Sequence, residues 1–189
     1  TILITGSNGL LGQKLVHLLK EKYNVIATSL GSCLISNQSG FIYQSLDITN
    51  EYDIGKIFNM YRPKYVINTA AMTNVDACED YKDLCDDINV KAVGYISKEC
   101  EKYNSHLIHI STDFIFDGKN GPYDEDDDAN PLSYYGLSKW KSEQVLLESN
   151  CKWAILRTII LYGTAENLER NNIVLWARKA LKDGQELNI

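Results

Sequence analysis

Ser133-Tyr134-Tyr135-Gly136-Leu137-Ser138-Lys139 sets a phenol and an ammonium four residues apart at the start of a stretch that reads as helix. Residues i and i+4 share one helix face, about one turn apart. A cation that close favours phenolate, so Lys139 is expected to lower the pKa of Tyr135 from its ordinary value of about 10. With a cofactor ribose between them, Tyr135 could then exchange a proton with a carbonyl near neutral pH. Such pairs occur on many helices, so this one gains meaning only from its company. Thr112 follows the apolar run His-Leu-Ile-His-Ile-Ser at 106–111. Its hydroxyl could bond a substrate carbonyl beside Tyr135. His109, within that run, reads as a core or strand-face histidine without a catalytic role.

A second constellation lies at the start of the chain. The β-branched run Thr1–Thr5 leads into Gly6-Ser7-Asn8-Gly9-Leu10-Leu11-Gly12, and an amphipathic helix follows with Leu11, Leu15, Leu18 and Leu19 on its inner face. Strand, glycine turn and helix are the context that a dinucleotide-binding loop requires. Gly6 permits the tight turn, Gly9 lets backbone approach a pyrophosphate, and Gly12 lets the helix pack near the strand. The phosphates would sit at the helix N-terminus, where N–H groups and the helix dipole favour anions. An acid about 20 residues beyond the glycines usually meets a free ribose 2′-hydroxyl. Residues 23–46 contain no Asp or Glu, which leans towards NADP(H), and no Lys or Arg to meet its 2′-phosphate. NAD(H) stays open as the alternative.

The remaining elements alternate. Strands are expected at 24–29, 41–46, 64–71, 106–111 and 153–158. Helices are expected at 51–61, capped by Thr49 or Asn50, at 83–103, from the Tyr135 segment to about 150, and at 172–183. This is the pattern of an α/β, Rossmann-like, doubly wound parallel sheet with helices on both faces. Ligands of such sheets bind beyond the carboxyl ends of the strands, which makes Ala70, Ala71, Met72 and Thr73 candidates. Asn89 falls mid-helix, where asparagine is unfavourable, either exposed or buried against a neighbouring strand's backbone. The acidic run Asp124–Asp128 lacks the ligand spacing of a metal cage and reads as solvated loop. No metal site is expected.

At 189 residues with 44% hydrophobic content, the chain can bury a sizeable core. A formal net charge of −6 without a basic stripe argues against nucleic-acid binding. No apolar run approaches the roughly 20 residues that span a bilayer, and no signal peptide is visible. The five cysteines, Cys33, Cys78, Cys85, Cys100 and Cys151, form neither a zinc nor a disulfide pattern, which fits a reduced, cytoplasmic setting. Because a strand begins at residue 1 and a helix barely precedes the last residues, the sequence reads as part of a longer protein. Residues 1–162 are expected to form the NAD(P)-binding domain, and 163–189 the beginning of a substrate-binding region.

Jointly, Thr5-Gly6-x-x-Gly9-x-x-Gly12, Leu46-Asp47-Ile48-Thr49, Asn68-Thr69-Ala70-Ala71-Met72-Thr73-Asn74-Val75-Asp76, Ser111-Thr112-Asp113-Phe114-Ile115-Phe116-Asp117-Gly118 and Tyr135-x-x-x-Lys139 resemble an extended short-chain dehydrogenase/reductase. The finer resemblance is to the dTDP-4-dehydrorhamnose reductase branch. It implies that Tyr135 donates a proton to the C4 oxygen of a nucleotide-linked keto sugar while NADPH delivers hydride. Lys139 would hold the nicotinamide ribose, and Thr112 would orient the carbonyl. Leu10, Leu11 and Gly12 would take the pyrophosphate, Asp47 and Ile48 would border the adenine, and Ala70–Thr73 the inner cofactor. Thr73, Val75 and Phe114 would join Thr112 and Tyr135 on the substrate side. A homodimer is a further possibility.

Three departures from that branch stand out. Phe114 replaces a tyrosine, Ile159-Ile160 replaces a Ser-Trp pair, and most of the C-terminal substrate region is absent, which leaves the sugar open. Phe114 also stands where related dehydratases carry Glu, so dehydration is disfavoured, while epimerisation stays open. Arg157-x-x-Ile160-Leu161-Tyr162-Gly163 resembles the regulatory subunit of methionine adenosyltransferase, which makes a non-catalytic binding subunit the alternative from a different class.

Overall fold

The computed structural model describes residues 1–168 and 172–185. Six strands, β1 (Ile2–Thr5), β2 (Val25–Ser29), β3 (Ile42–Ser45), β4 (Tyr65–Asn68), β5 (His106–Thr112) and β6 (Lys152–Thr158), form one sheet. Its order is β3-β2-β1-β4-β5-β6, and every pairing is parallel. The chain order reverses between β1 and β4, and such a switch point opens a crevice at the carboxyl ends of the strands.

Strands buried on both faces read as continuous apolar runs, and β1 shows why. Leu3 packs on one side with Ile26, Phe58, Val66, Val93, Ile96, Leu107 and Leu146. Its neighbours Ile2 and Ile4 pack on the other side with Val16, Val25, Ala27 and Ile67. The helices α1 (Leu10–Leu19) and α2 (Glu51–Tyr61) contribute to these two layers. Asn50, rather than Thr49, caps α2, its side chain accepting from the N–H groups of Tyr52 and Asp53. Thr49 is held instead by the Asp47 carboxylate.

Two elements differ from the sequence expectation. A short helix, α3 (Val75–Asp80), follows β4, because the Asn74 side chain accepts from Ala77 N–H and turns the chain early. The helix expected at 83–103 is interrupted. It runs as α4 (Lys82–Asp86), a π turn over Asp87–Lys91, and α5 (Ala92–Tyr103). Asn89, buried, sits in the π turn; π turns inside helices are rare and mark functional places. Two further helices, α6 (Tyr134–Leu147) and α7 (Ile173–Lys182), complete the order. Among the described residues no helix is long and apolar enough to cross a membrane. Residues 169–171 and 186–189, within the region expected to begin a substrate-binding part, lie outside the described residues.

Candidate active site

A cavity of about 870 Å³ opens at the switch point. Its first wall is the loop from Gly6 to Gly12, including Gly9, Leu10 and Leu11. Gly6 has φ +67°, and a Cβ there would lie 2.6 Å from the Ala70 amide nitrogen. Only glycine fits that turn. A Cβ at Gly12 would strike the Gly6 carbonyl oxygen, so Gly12 lets α1 close on the loop's own backbone rather than on the strand. Gly9 caps α1 without a side-chain bond, and the first turn carries no acid. The amides of Leu10, Leu11 and Gly12 therefore face the cavity end of the helix without intrahelical partners, a cradle suited to a pyrophosphate. Asn8 fixes the loop from behind, donating to Ser32 C=O at 2.9 Å and accepting from Leu34 N–H at 3.0 Å.

The second wall comes from the ends of β2 and β3: Ser29, Leu30, Asp47 and Ile48. The third follows β4, with Ala70, Ala71, Thr73 and Val75 on the cavity. β4 stops at Asn68, three residues short of the expected end, which frees this segment to line the opening. Met72, between Ala71 and Thr73, is held from behind. Its neighbours line the cavity while Asn89 holds its backbone, accepting from Met72 N–H at 2.8 Å and donating to Met72 C=O at 3.0 Å. Asn89 also donates to Ser138 on α6 at 2.9 Å, and so couples the segment after β4 to the helix carrying Tyr135 and Lys139. Sequence reasoning left Asn89 undecided; the signal was an asparagine placed where a helix disfavours it.

Thr112, Phe114, Tyr135 and Lys139 form the fourth wall, with Ile159 and Ile160 beside them. α6 begins where it does because Ser133 Oγ accepts from Gly136 N–H at 3.1 Å, which points the first two turns at the cavity. Burial raises the Tyr135 phenol above its ordinary value, while the bond with the Thr112 hydroxyl pulls the other way. Phe114 meets the Tyr135 ring edge-on, centroids 5.9 Å apart. Lys139 is only 2% exposed. Its Nζ donates to Ile110 C=O at 2.7 Å and lies 3.1 Å from His109 Nε2. Burial pushes this ammonium down to about 8, against the opposing pull of Glu143 and Cys85. The expected lowering of Tyr135 by Lys139 is therefore corrected. The lysine side chain turns towards β5, and desolvation governs the phenol.

A 3-2-1-4-5-6 parallel sheet, a glycine loop at its switch point and a Thr/Tyr/Lys set on one cavity define a scaffold of the extended short-chain dehydrogenase/reductase class. The profile of the family described as RmlD substrate binding domain matches residues 1–189. The chain belongs to this family, the dTDP-4-dehydrorhamnose reductase-like branch of that class. It is 37% identical to a dTDP-4-dehydrorhamnose reductase of Aggregatibacter actinomycetemcomitans, over 88% of this chain and 53% of the relative. It is 31% identical to methionine adenosyltransferase 2 subunit beta of Bos taurus, over 100% of this chain and 55% of the relative. The crystal structure of a Bacillus anthracis dTDP-4-dehydrorhamnose reductase in complex with NADP superposes with a TM-score of 0.77 at 30% identity, covering 96% of this chain and 59% of that one. The chain thus spans little more than half the length of these relatives.

Proposed function

We propose that the protein reduces the 4-keto group of a nucleotide-linked sugar with NADP(H), NAD(H) being the alternative cofactor. The observation that carries this reading is the meeting of Thr112, Tyr135 and Lys139 on the same cavity as the glycine loop. The cradle at Gly6–Gly12 fits a dinucleotide pyrophosphate, and Asp47 and Ile48 would flank the adenine. Ala70, Ala71 and Thr73 would border the inner part of the cofactor. Ser29 and Leu30, at the end of β2, carry no charge that would select for or against a 2′-phosphate. A bound reduced nicotinamide would supply the hydride.

The chain's own groups do the rest. Tyr135 stays protonated through the neutral range, because burial disfavours its phenolate, and it would donate its proton to the carbonyl oxygen. Thr112 would hold that oxygen with a second hydrogen bond. Lys139, charged below about 8, would hold the ribose hydroxyls. Val75, Thr73 and Phe114 would face the sugar, where the phenyl ring offers packing and no hydroxyl. Residues from 163 onward would open the substrate-binding part. A cytoplasmic setting and a homodimer belong to the same proposal.

The test is turnover of full-length protein with NADPH and a panel of nucleotide-linked 4-keto sugars, read as loss of reduced-nicotinamide absorbance. Tyr135→Phe should lower the rate by roughly 10²–10⁴-fold while NADPH still binds. A second reading, a non-catalytic NADP-binding subunit, is favoured by the bovine subunit's match across the whole chain and by the apolar Phe114 and Ile159–Ile160. Silence across the sugar panel, with a catalytic partner co-purifying, would favour it. Cofactor retained tightly through purification, with stereochemical inversion of a sugar, would favour an epimerase.

A further inference from the structure

His109 lies behind Lys139, fully buried in the middle of β5. Three polar groups meet its ring. Asn68 Nδ2 is 3.1 Å from Nδ1; Ser142 Oγ and Lys139 Nζ are 3.0 and 3.1 Å from Nε2. Asn68 in turn bonds the Thr5 hydroxyl, and Ser142 donates to Lys139 C=O at 2.6 Å. All of these side chains are buried, so each donor must meet an acceptor or forfeit its hydration.

Two arrangements of the ring are possible, and they treat Lys139 differently. With the proton on Nε2, the ring donates to Ser142, and Nδ1 accepts from Asn68. That satisfies the chain, but it turns an N–H against a buried ammonium. With the proton on Nδ1, the lone pair of Nε2 accepts from Lys139. Asn68 then turns its amide so that Oδ1 accepts from Nδ1 and Nδ2 donates to Thr5, and the Thr5 hydroxyl gives up Oδ1 as the acceptor of its own proton. Setting a ring N–H against a buried ammonium costs more than the one hydrogen bond that the Thr5 hydroxyl gives up.

We propose that His109 is a positioning residue, a neutral imidazole with its proton on Nδ1 whose Nε2 accepts from Lys139 and holds that ammonium at the cavity wall. Together with Ile110 C=O, it gives Lys139 two acceptors on β5 and leaves its third proton for a ligand. The other titratable or charged groups acting on the ammonium are Glu143 on α6 and Cys85 on α4, with Glu143 engaged by Arg157 of β6. A positively charged ring is disfavoured both by burial and by Lys139 itself. The inference deepens the reductase reading and rests on Lys139 serving the cofactor.

Long-range proton–nitrogen NMR correlations of the histidine rings in full-length protein, at neutral pH, read the tautomer directly. A neutral ring protonated on Nδ1 is expected for His109, and a proton on Nε2 would overturn the proposal. The functional arm compares His109→Gln, whose Oε1 can stand in for Nε2, with His109→Leu. The leucine variant should bind NADPH on the order of tenfold more weakly, and its activity should fall away at lower pH, because an ammonium without its acceptor deprotonates earlier. The glutamine variant should retain both properties. Identical behaviour of the two variants would overturn the proposal. If no keto sugar is reduced at all, the reductase reading fails, while the ring tautomer and the NADPH affinities still decide this one.

Discussion

Lys139 shows how far a buried side chain departs from its chemistry in water. Its ammonium, held down to about 8 by burial, is charged below that pH and neutral above it. If the charge holds the cofactor ribose, kcat/KM for NADPH should decline as pH rises through about 8, and a pH profile with NADPH varied at saturating sugar checks this. Stability has the opposite dependence. The folded pKa lies below the ordinary 10.5, so the native state binds fewer protons than the unfolded chain between those values. The group's contribution is intact above about 10.5 and lost as pH falls through about 8. Lys139→Met should therefore abolish turnover yet raise stability at neutral pH by on the order of 1 kcal/mol, measured by urea unfolding at several pH values. Asn89 makes a different case at the same scale. Asn89→Ala would leave Met72 N–H and C=O without their side-chain partner, at a cost of about 2 kcal/mol. Dinucleotide affinity should weaken as well, because the segment from Ala70 to Thr73 loses its anchor; calorimetric titration with NADPH reads that loss.

α1 is placed by contact with the loop that precedes it. The Gly12 position backs on to Gly6 C=O and Ser7 Cα, and this closeness brings the helix N-terminus into the cavity. Gly12→Ala should push α1 outward, lower stability by about 1–3 kcal/mol and weaken NADPH binding, with thermal unfolding and titration as the two measurements. α6 is set by Ser133 at its start, and along its length by Ser142 and Glu143 facing β5 and β6. Its exposed and buried faces are not separated by hydrophobicity, because its buried positions include Ser138, Lys139, Ser142 and Glu143. A helix of this kind is held by polar pairing, and its inward face is hard to read from periodicity.

Across the whole molecule, one buried ion pair joins the far edge of the sheet to this helix. Glu143, 2% exposed in its side chain, accepts from Arg157 Nη2 at 2.8 Å and Nε at 3.2 Å, and also from Ser111. Arg157 further donates to Glu125 C=O at 2.8 Å, which anchors the backbone of the acidic loop while its side chains stay exposed to solvent. Arg157→Ala would strand the Glu143 carboxylate in the interior, and a loss of about 3 kcal/mol is expected. Replacing both partners by methionine should recover most of that loss in the same unfolding assay, because the stranded charge causes the larger share of the cost.

Local rules were enough for much of this protein. Apolar runs at 1–5 and 106–111, the glycine loop and the Tyr135–Lys139 spacing each depend on neighbours in sequence, and together they made the Rossmann-like sheet and the glycine-loop wall of the cavity legible from sequence. The remainder depends on contacts that no local pattern encodes. The π turn exists because Asn89 reaches across to Met72 and Ser138, 17 and 49 residues away. Lys139 turns from Tyr135 to β5 because His109 and Ile110, 30 and 29 residues earlier, present acceptors in a dry interior. Spacing fixes which side chains share a face. Which acceptor a buried charge chooses depends on the dielectric and the partners that distant segments bring, and only the folded chain supplies those.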